Sequence, residues 1–146
     1  SSASLALPAP TRNARWRGWL TAEAFARPPS PDFRFESYEV KPAPPTGLVA
    51  DGQEFDLGDR RLEVIHVPGH SPGLIAVFER ASATLFTSDA LYDGPMFFDL
   101  PRSDRRKAKE SIARLAALPA RRIHPGHFES FGPDRLRELA SRALDG

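Results

Sequence analysis

Residues 62–73 read Leu62-Glu63-Val64-Ile65-His66-Val67-Pro68-Gly69-His70-Ser71-Pro72-Gly73. The run Arg61 to Val67 has the composition of a short strand, and Pro68 with Gly69 stops any regular element there. Histidines four apart would share a face on a helix. With a helix excluded, His66 ends the strand and His70 sits on a tight loop beyond it. Glycine before His70 lets the backbone bend sharply and approach another group closely, so a short loop can aim an imidazole at a fixed point. The same design recurs in His124-Pro125-Gly126-His127, after a brief apolar step at Ile123, and the two clusters hold all four histidines of the chain. Asp89 is the third element. It follows the buried-looking run Thr84 to Ser88 and so falls at the C-terminal end of another strand.

Imidazole and carboxylate together suit zinc, with iron or manganese as alternatives, and three protein ligands with an open position define a catalytic metal site. A single histidine beside a Pro-Gly turn is equally a surface or hydrogen-bonded residue, so ligation rests on the three features together. The chain has no cysteine, which excludes disulfides, thiolate metal sites and a cysteine nucleophile.

Moving outward, 146 residues with 40% hydrophobic and 27% charged side chains suit one folded, soluble domain, and no apolar run approaches the length of a membrane span. A net charge of +1 offers no general field for nucleic acid or an anionic membrane. The basic run Arg102, Arg105, Arg106, Lys107 and Lys109 is interrupted by Asp104 and Glu110 and reads as a solvated helix face. The opening residues lack a basic, long apolar leader, and a cytoplasmic location is expected.

Residues 1–46 are rich in proline and read as loops around a short helix from Thr21 to before Pro28 and a strand over Phe33 to Val40. From Gly47 onward the expected strands are Gln53 to Leu57, Arg61 to Val67, Leu74 to Glu79 and Thr84 to Ser88, in an antiparallel meander with turns at Asp51-Gly52, Gly58-Asp59 and Ala81-Ser82. Ser103 or Asp104 caps a helix burying Ala108, Ile112, Leu115 and Ala116 and ending near Pro119. A second helix begins at Pro133 and buries Leu136, Leu139, Ala140 and Leu144. Strands followed by helices give an α+β layer arrangement.

The segment Leu62 to Gly73, then Leu85-Phe86-Thr87-Ser88-Asp89, then His124 to His127, resembles the later metal-binding motifs of the metallo-β-lactamase fold hydrolase superfamily, over roughly Gly47 to the C-terminus. The resemblance implies an αβ/βα sandwich, mainly its C-terminal half, with residues 1–46 as a variable segment bordering the substrate side. Carried over, it makes His70 a ligand of a first metal, Asp89 the catalytic carboxylate bridging two metals, and His127 a ligand of the second. His66 and His124 become hydrogen-bonding supports, and Tyr92 either reaches a substrate oxygen or packs on its loop with Phe97 and Phe98. The cofactor implied is zinc, two ions, with iron or manganese possible. The reaction implied is attack of metal-bound hydroxide on an ester, thioester or lactone, in a small-molecule enzyme most like bacterial hydrolases and acyl thioesterase-like members.

Ser71 reads as a turn residue, not a nucleophile, and Asp93-Gly94 reads as a turn close enough to Asp89 to affect its charge. Serine replaces the family's glycine before the bridging aspartate, which asks only an ordinary backbone angle of Ser88. The family's H-x-H-x-D-H motif has no counterpart, since no histidine precedes His66. With Ser1 first and Met96 the single methionine, the chain is expected to be the C-terminal part of a longer enzyme, inactive alone, with its missing N-terminal half as partner. The sheet face Leu62, Val64, Ile75, Val77, Leu85 and Phe86 is then partly uncovered. The alternative is a non-catalytic half-domain that binds a partner through that sheet.

Overall fold

The computed structural model describes residues 30–32, 45–98, 100 and 102–145. The expected helix from Thr21 and the strand over Phe33 to Val40 lie outside the described residues. Residues 30–32 and 45–48 belong to a separate unit from residues 49–145 and are exposed.

Five strands form one sheet in the order β1-β2-β3-β4-β5: β1 (Glu54–Asp56), β2 (Arg61–His66), β3 (Ile75–Glu79), β4 (Thr84–Ser88) and β5 (Arg122–Pro125). Helix α1 (Arg105–Ala116) joins β4 to β5, and α2 (Pro133–Asp145) follows. The first three pairings are antiparallel, as turn chemistry requires. Gly58 takes φ +94 and its N–H donates to Asp56 Oδ1 at 2.8 Å between β1 and β2, and Ala83 takes φ +54 between β3 and β4. The fourth pairing, β4 with β5, is parallel, so the meander ends in a helical crossover. The expected α+β arrangement is present, with one addition: a short strand around Ile123, too brief and too polar to stand out by alternation, lies between the two helices.

The register decides which face each side chain takes. Ile65 lies opposite Ala76, Phe78 opposite Leu85, and Leu85 opposite Ile123. These residues form one core with Ile112 and Leu115 of α1 and Leu136, Leu139, Ala140 and Ala143 of α2. Both helices place apolar residues at spacings of three and four, which is why one stripe of each meets the sheet. Asp104 caps α1, its Oδ1 accepting the Lys107 N–H at 3.0 Å. That bond holds the Asp104 carboxyl below its usual pKa, helped by the nearby Lys107 charge.

Two core assignments change. Leu85 points into the helix-covered core and is 0% exposed, so it does not belong with Val64, Val77 and Phe86, which share the other face through the pairings Val64↔Val77↔Phe86. In α2 the buried position is Ala143, while Leu144 lies at the rim and is exposed. Among the described residues no helix is long and apolar enough to cross a membrane.

The face assignment predicts unequal costs for neighbouring apolar residues. Leu85→Ala should destabilise the fold by about 2–5 kcal/mol in urea unfolding. Phe86→Ala should cost no more than about 1 kcal/mol, because Phe86 is 45% exposed and chiefly stacks on His124. Equal losses would contradict the register.

Candidate functional site

Topology brings the three sequence-selected loops to one edge. Two antiparallel steps make β2 and β4 run the same way, and β5 is parallel to β4, so the C-terminal ends of β2, β4 and β5 lie together. His70, Asp89 and His127 follow those ends. His70 Nε2 lies 3.7 Å from Asp89 Oδ2, and His127 Nε2 lies 3.3 Å from Asp89 Oδ1. Each carboxylate oxygen therefore faces its own imidazole. Among the described residues, no three His, Asp or Glu side chains converge on one point that could hold a metal ion. The grouping is two imidazole–carboxylate pairs sharing Asp89.

Backbone geometry singles out the same three residues. Gly69, before His70, has φ +150; Ser88, before Asp89, has φ +50; Phe128, after His127, has φ +66. The expectation of an ordinary angle at Ser88 is thus overturned. Ser88 keeps the left-handed conformation that glycine would adopt freely, because its carbonyl is held by the Gly126 N–H at 2.9 Å. Two glycines are required by close approach. A β-carbon at Gly69 would lie 2.4 Å from Ala108 Cα, and one at Gly126 would lie 2.6 Å from Asp89 Oδ1.

Both histidine loops are closed in the same manner. His66 Nε2 donates to the Pro72 carbonyl at 2.9 Å, and His124 Nδ1 bonds Ser130 Oγ at 2.7 Å, each spanning six residues across the loop that carries the other histidine. A backbone bond, Val67 N–H to Leu74 carbonyl at 2.9 Å, seals the first loop, and the Ile123–Phe131 bridge seals the second. His66 and His124 thus close the two loops, while His70 and His127 reach Asp89.

Several supports were not selected from the sequence. Three successive carbonyls of the His70 loop are taken up by α1 and the residues leading into it: Pro68 by Ser111 Oγ in mid-helix at 2.7 Å, Gly69 by the Asp104 N–H at 2.7 Å, and His70 by Ser103 Oγ at 3.0 Å. Ser111 is buried on the apolar face of α1, and a hydroxyl at such a position is a legible signal of a specific partner. Asp51 accepts the His66 N–H at 2.8 Å, and Arg114 donates to both Asp51 and the His66 carbonyl. Partial burial pushes the Asp51 carboxyl up, but the hydrogen bonds from Arg114 and His66 outweigh it and hold the carboxyl below its usual pKa.

Tyr92 is 5% exposed, its hydroxyl donating to the Pro95 carbonyl at 2.7 Å. Its ring stands edge-on to His127, with centroids 5.6 Å apart, and stacks on Phe128 where packing with Phe97 and Phe98 was expected. Burial and the Asp89 charge both push the Tyr92 phenol above its usual pKa, outweighing a backbone hydrogen bond that lowers it. Asp93 is gripped at both oxygens by Arg135, at 2.6 and 2.7 Å, which lowers its carboxyl pKa and pairs the charge it would otherwise present beside Asp89. Ser71 sits in a turn, its carbonyl accepting the Leu74 N–H.

The Ser88 angle carries its own prediction. Ser88→Gly should raise stability by about 0.5–1 kcal/mol in urea unfolding, the relief of a left-handed serine less the added freedom of glycine in the unfolded chain. A loss of similar size would contradict the positive angle.

With the geometry established, comparison with known proteins gives concordant results. The sequence profile of the Metallo-beta-lactamase superfamily matches residues 5–127, so the likeness reaches upstream of Gly47 into the proline-rich stretch. Acyl-coenzyme A thioesterase MBLAC2 of Gallus gallus is 41% identical over 130 residues, covering 86% of this chain and 47% of that protein. A hydroxyacylglutathione hydrolase of Mesorhizobium japonicum is 40% identical over 83 residues, 54% of this chain and 31% of that protein. The chain thus spans about half the length or less of these curated relatives. Among solved structures, TTHA1623 in a di-iron-bound form has 32% identity and a TM-score of 0.60, over 68% of this chain and 50% of that one. The profile match across most of the chain and the shared fold agree, and this chain belongs to the metallo-β-lactamase superfamily.

Proposed function

We propose that Asp89 is the shared ligand of a two-metal centre, with His70 on one ion and His127 on the other, and that the activity is hydrolysis of a thioester. The observation that carries this reading is the division of the Asp89 oxygens between the two imidazoles. The donor set fits: two imidazole nitrogens and two carboxylate oxygens suit zinc, iron or manganese, and Gly126 leaves the space the carboxylate occupies. Zinc is the metal we favour. Thioester chemistry is supported by the relatives, one an acyl-coenzyme A thioesterase and another a hydrolase of an S-acyl glutathione.

When bound, divalent metal supplies water acidified to about neutral pKa and polarises the acyl carbonyl. The chain's own residues fix where that chemistry happens. Asp89 sets the separation of the two donor pairs, and the closed loops keep His70 and His127 from swinging away. Arg135 keeps the Asp93 charge from competing with Asp89. The Tyr92 hydroxyl could contact substrate only by releasing Pro95, and its ring meanwhile supports His127. No serine is asked to act as nucleophile.

A second reading, an interaction module, draws on the exposure of Phe86 on the sheet face away from the helices. One variant separates the two. In calorimetric zinc titration, the hydrolase reading expects Asp89→Ala to abolish uptake at both positions, while His70→Ala and His127→Ala each remove one. Wherever the metal-loaded protein turns over thioester, Asp89→Ala should lower the rate about a hundredfold or more. Zinc uptake indifferent to Asp89 would contradict the proposal.

A further inference from the structure

Phe128 is held rigidly beside the site and yet left open to solvent. It follows His127 in the left-handed region, at φ +66, where a bulky side chain is under strain. One face of the ring stacks on Tyr92, with centroids 5.7 Å apart, and Tyr92 is itself fixed through Pro95. Gly94 packs so closely that a β-carbon there would lie 2.4 Å from the Phe128 ring. Despite these restraints Phe128 is 63% exposed. Phe97, on the loop after Asp89, is 60% exposed and lines a cavity of about 10 Å³ together with His70 and Asp89. Ordinary packing does not call for a strained aromatic ring that remains mostly in water.

We propose that Phe128, with Phe97, forms the contact for the alkyl part of the acyl group. This deepens the hydrolase reading and rests on it. An acyl carbonyl reacting at the Asp89 edge lies next to His127, and the Phe128 ring centroid is 6.4 Å from that of His127, so an alkyl chain leaving the carbonyl runs directly onto the ring. Because the ring is already immobilised, burying it against the chain loses little side-chain freedom, and the gain is the removal of apolar surface from water. The substrate class is therefore thioesters of apolar acyl groups several carbons long. Acetyl is too short to reach the ring, and a charged acyl group would be desolvated against it.

The test uses the zinc-loaded chain, with decanoate as probe and acetate as the control for the carboxylate. Nuclear magnetic resonance should show saturable decanoate shifts at Phe128, Tyr92 and Phe97, and none of comparable size with acetate. Phe128→Gly relieves the left-handed strain and so preserves the fold, and it should weaken decanoate binding roughly tenfold or more. Phe97→Ala should weaken it less. No saturable response, unchanged affinity in Phe128→Gly, or shifts confined to Val77 and Phe86 on the far sheet face would each overturn the proposal. Zinc titration of the same samples before loading keeps the two readings apart. Asp89-dependent zinc uptake without decanoate selectivity rejects the acyl contact alone, and zinc uptake indifferent to Asp89 rejects the metal centre beneath it.

Discussion

The Asp89 carboxylate turns one oxygen to each of two histidines only because residue 126 has no side chain. A β-carbon there would sit 2.6 Å from Oδ1. The same glycine donates its N–H to the Ser88 carbonyl, tying the end of β5 to the end of β4 where the ladder is irregular and Ser88 adopts its left-handed angle. That contact exists because β5 lies parallel beside β4, and the parallel pairing requires the crossover through α1. Architecture and site are linked through a single backbone approach.

The other restraints distribute the work between the two histidine loops in different ways. The first loop is bound by three carbonyls to α1 and the residues leading into it and pressed onto Ala108 through Gly69, so α1 both covers the core and fixes His70. The second loop has no helix against it in this manner. It is shut by the Ile123–Phe131 bridge and the His124–Ser130 bond, and His127 rests against Tyr92. Individual hydrogen bonds of this kind contribute about 1 kcal/mol each, comparable to the cost of one left-handed residue, so strain at Ser88 and Phe128 persists where neighbouring bonds over-determine the backbone.

Much of this was legible in the sequence because the signals were local. His66 and His70 around Pro68-Gly69, their echo at His124 to His127, and Asp89 at the end of a strand define the site without reference to tertiary contacts. What escaped notice depends on tertiary structure. Leu85 and Phe86 are both apolar, so alternation cannot say which faces the helices, and only pairing with Phe78 and Ile123 decides it. The Ser88 angle is set by a glycine distant in sequence. Asp51 and Arg114 lie 63 residues apart and meet only in the folded chain, at the end of β2, where both also bond the His66 backbone. Ala143 rather than Leu144 is buried in α2: both continue the stripe from Ala140, by a step of three and of four, so spacing cannot choose between them and only the packing does.

The most direct measurement is anomalous X-ray diffraction from crystals of the chain soaked in zinc, which locates the metal without relying on activity. Sharing of Asp89 predicts two peaks, one within about 2.0–2.2 Å of Oδ2 and His70 Nε2, the other within the same range of Oδ1 and His127 Nε2. Zinc confined to His66 or His124, to surface carboxylates, or to a single position that leaves one Asp89 oxygen without metal would contradict it.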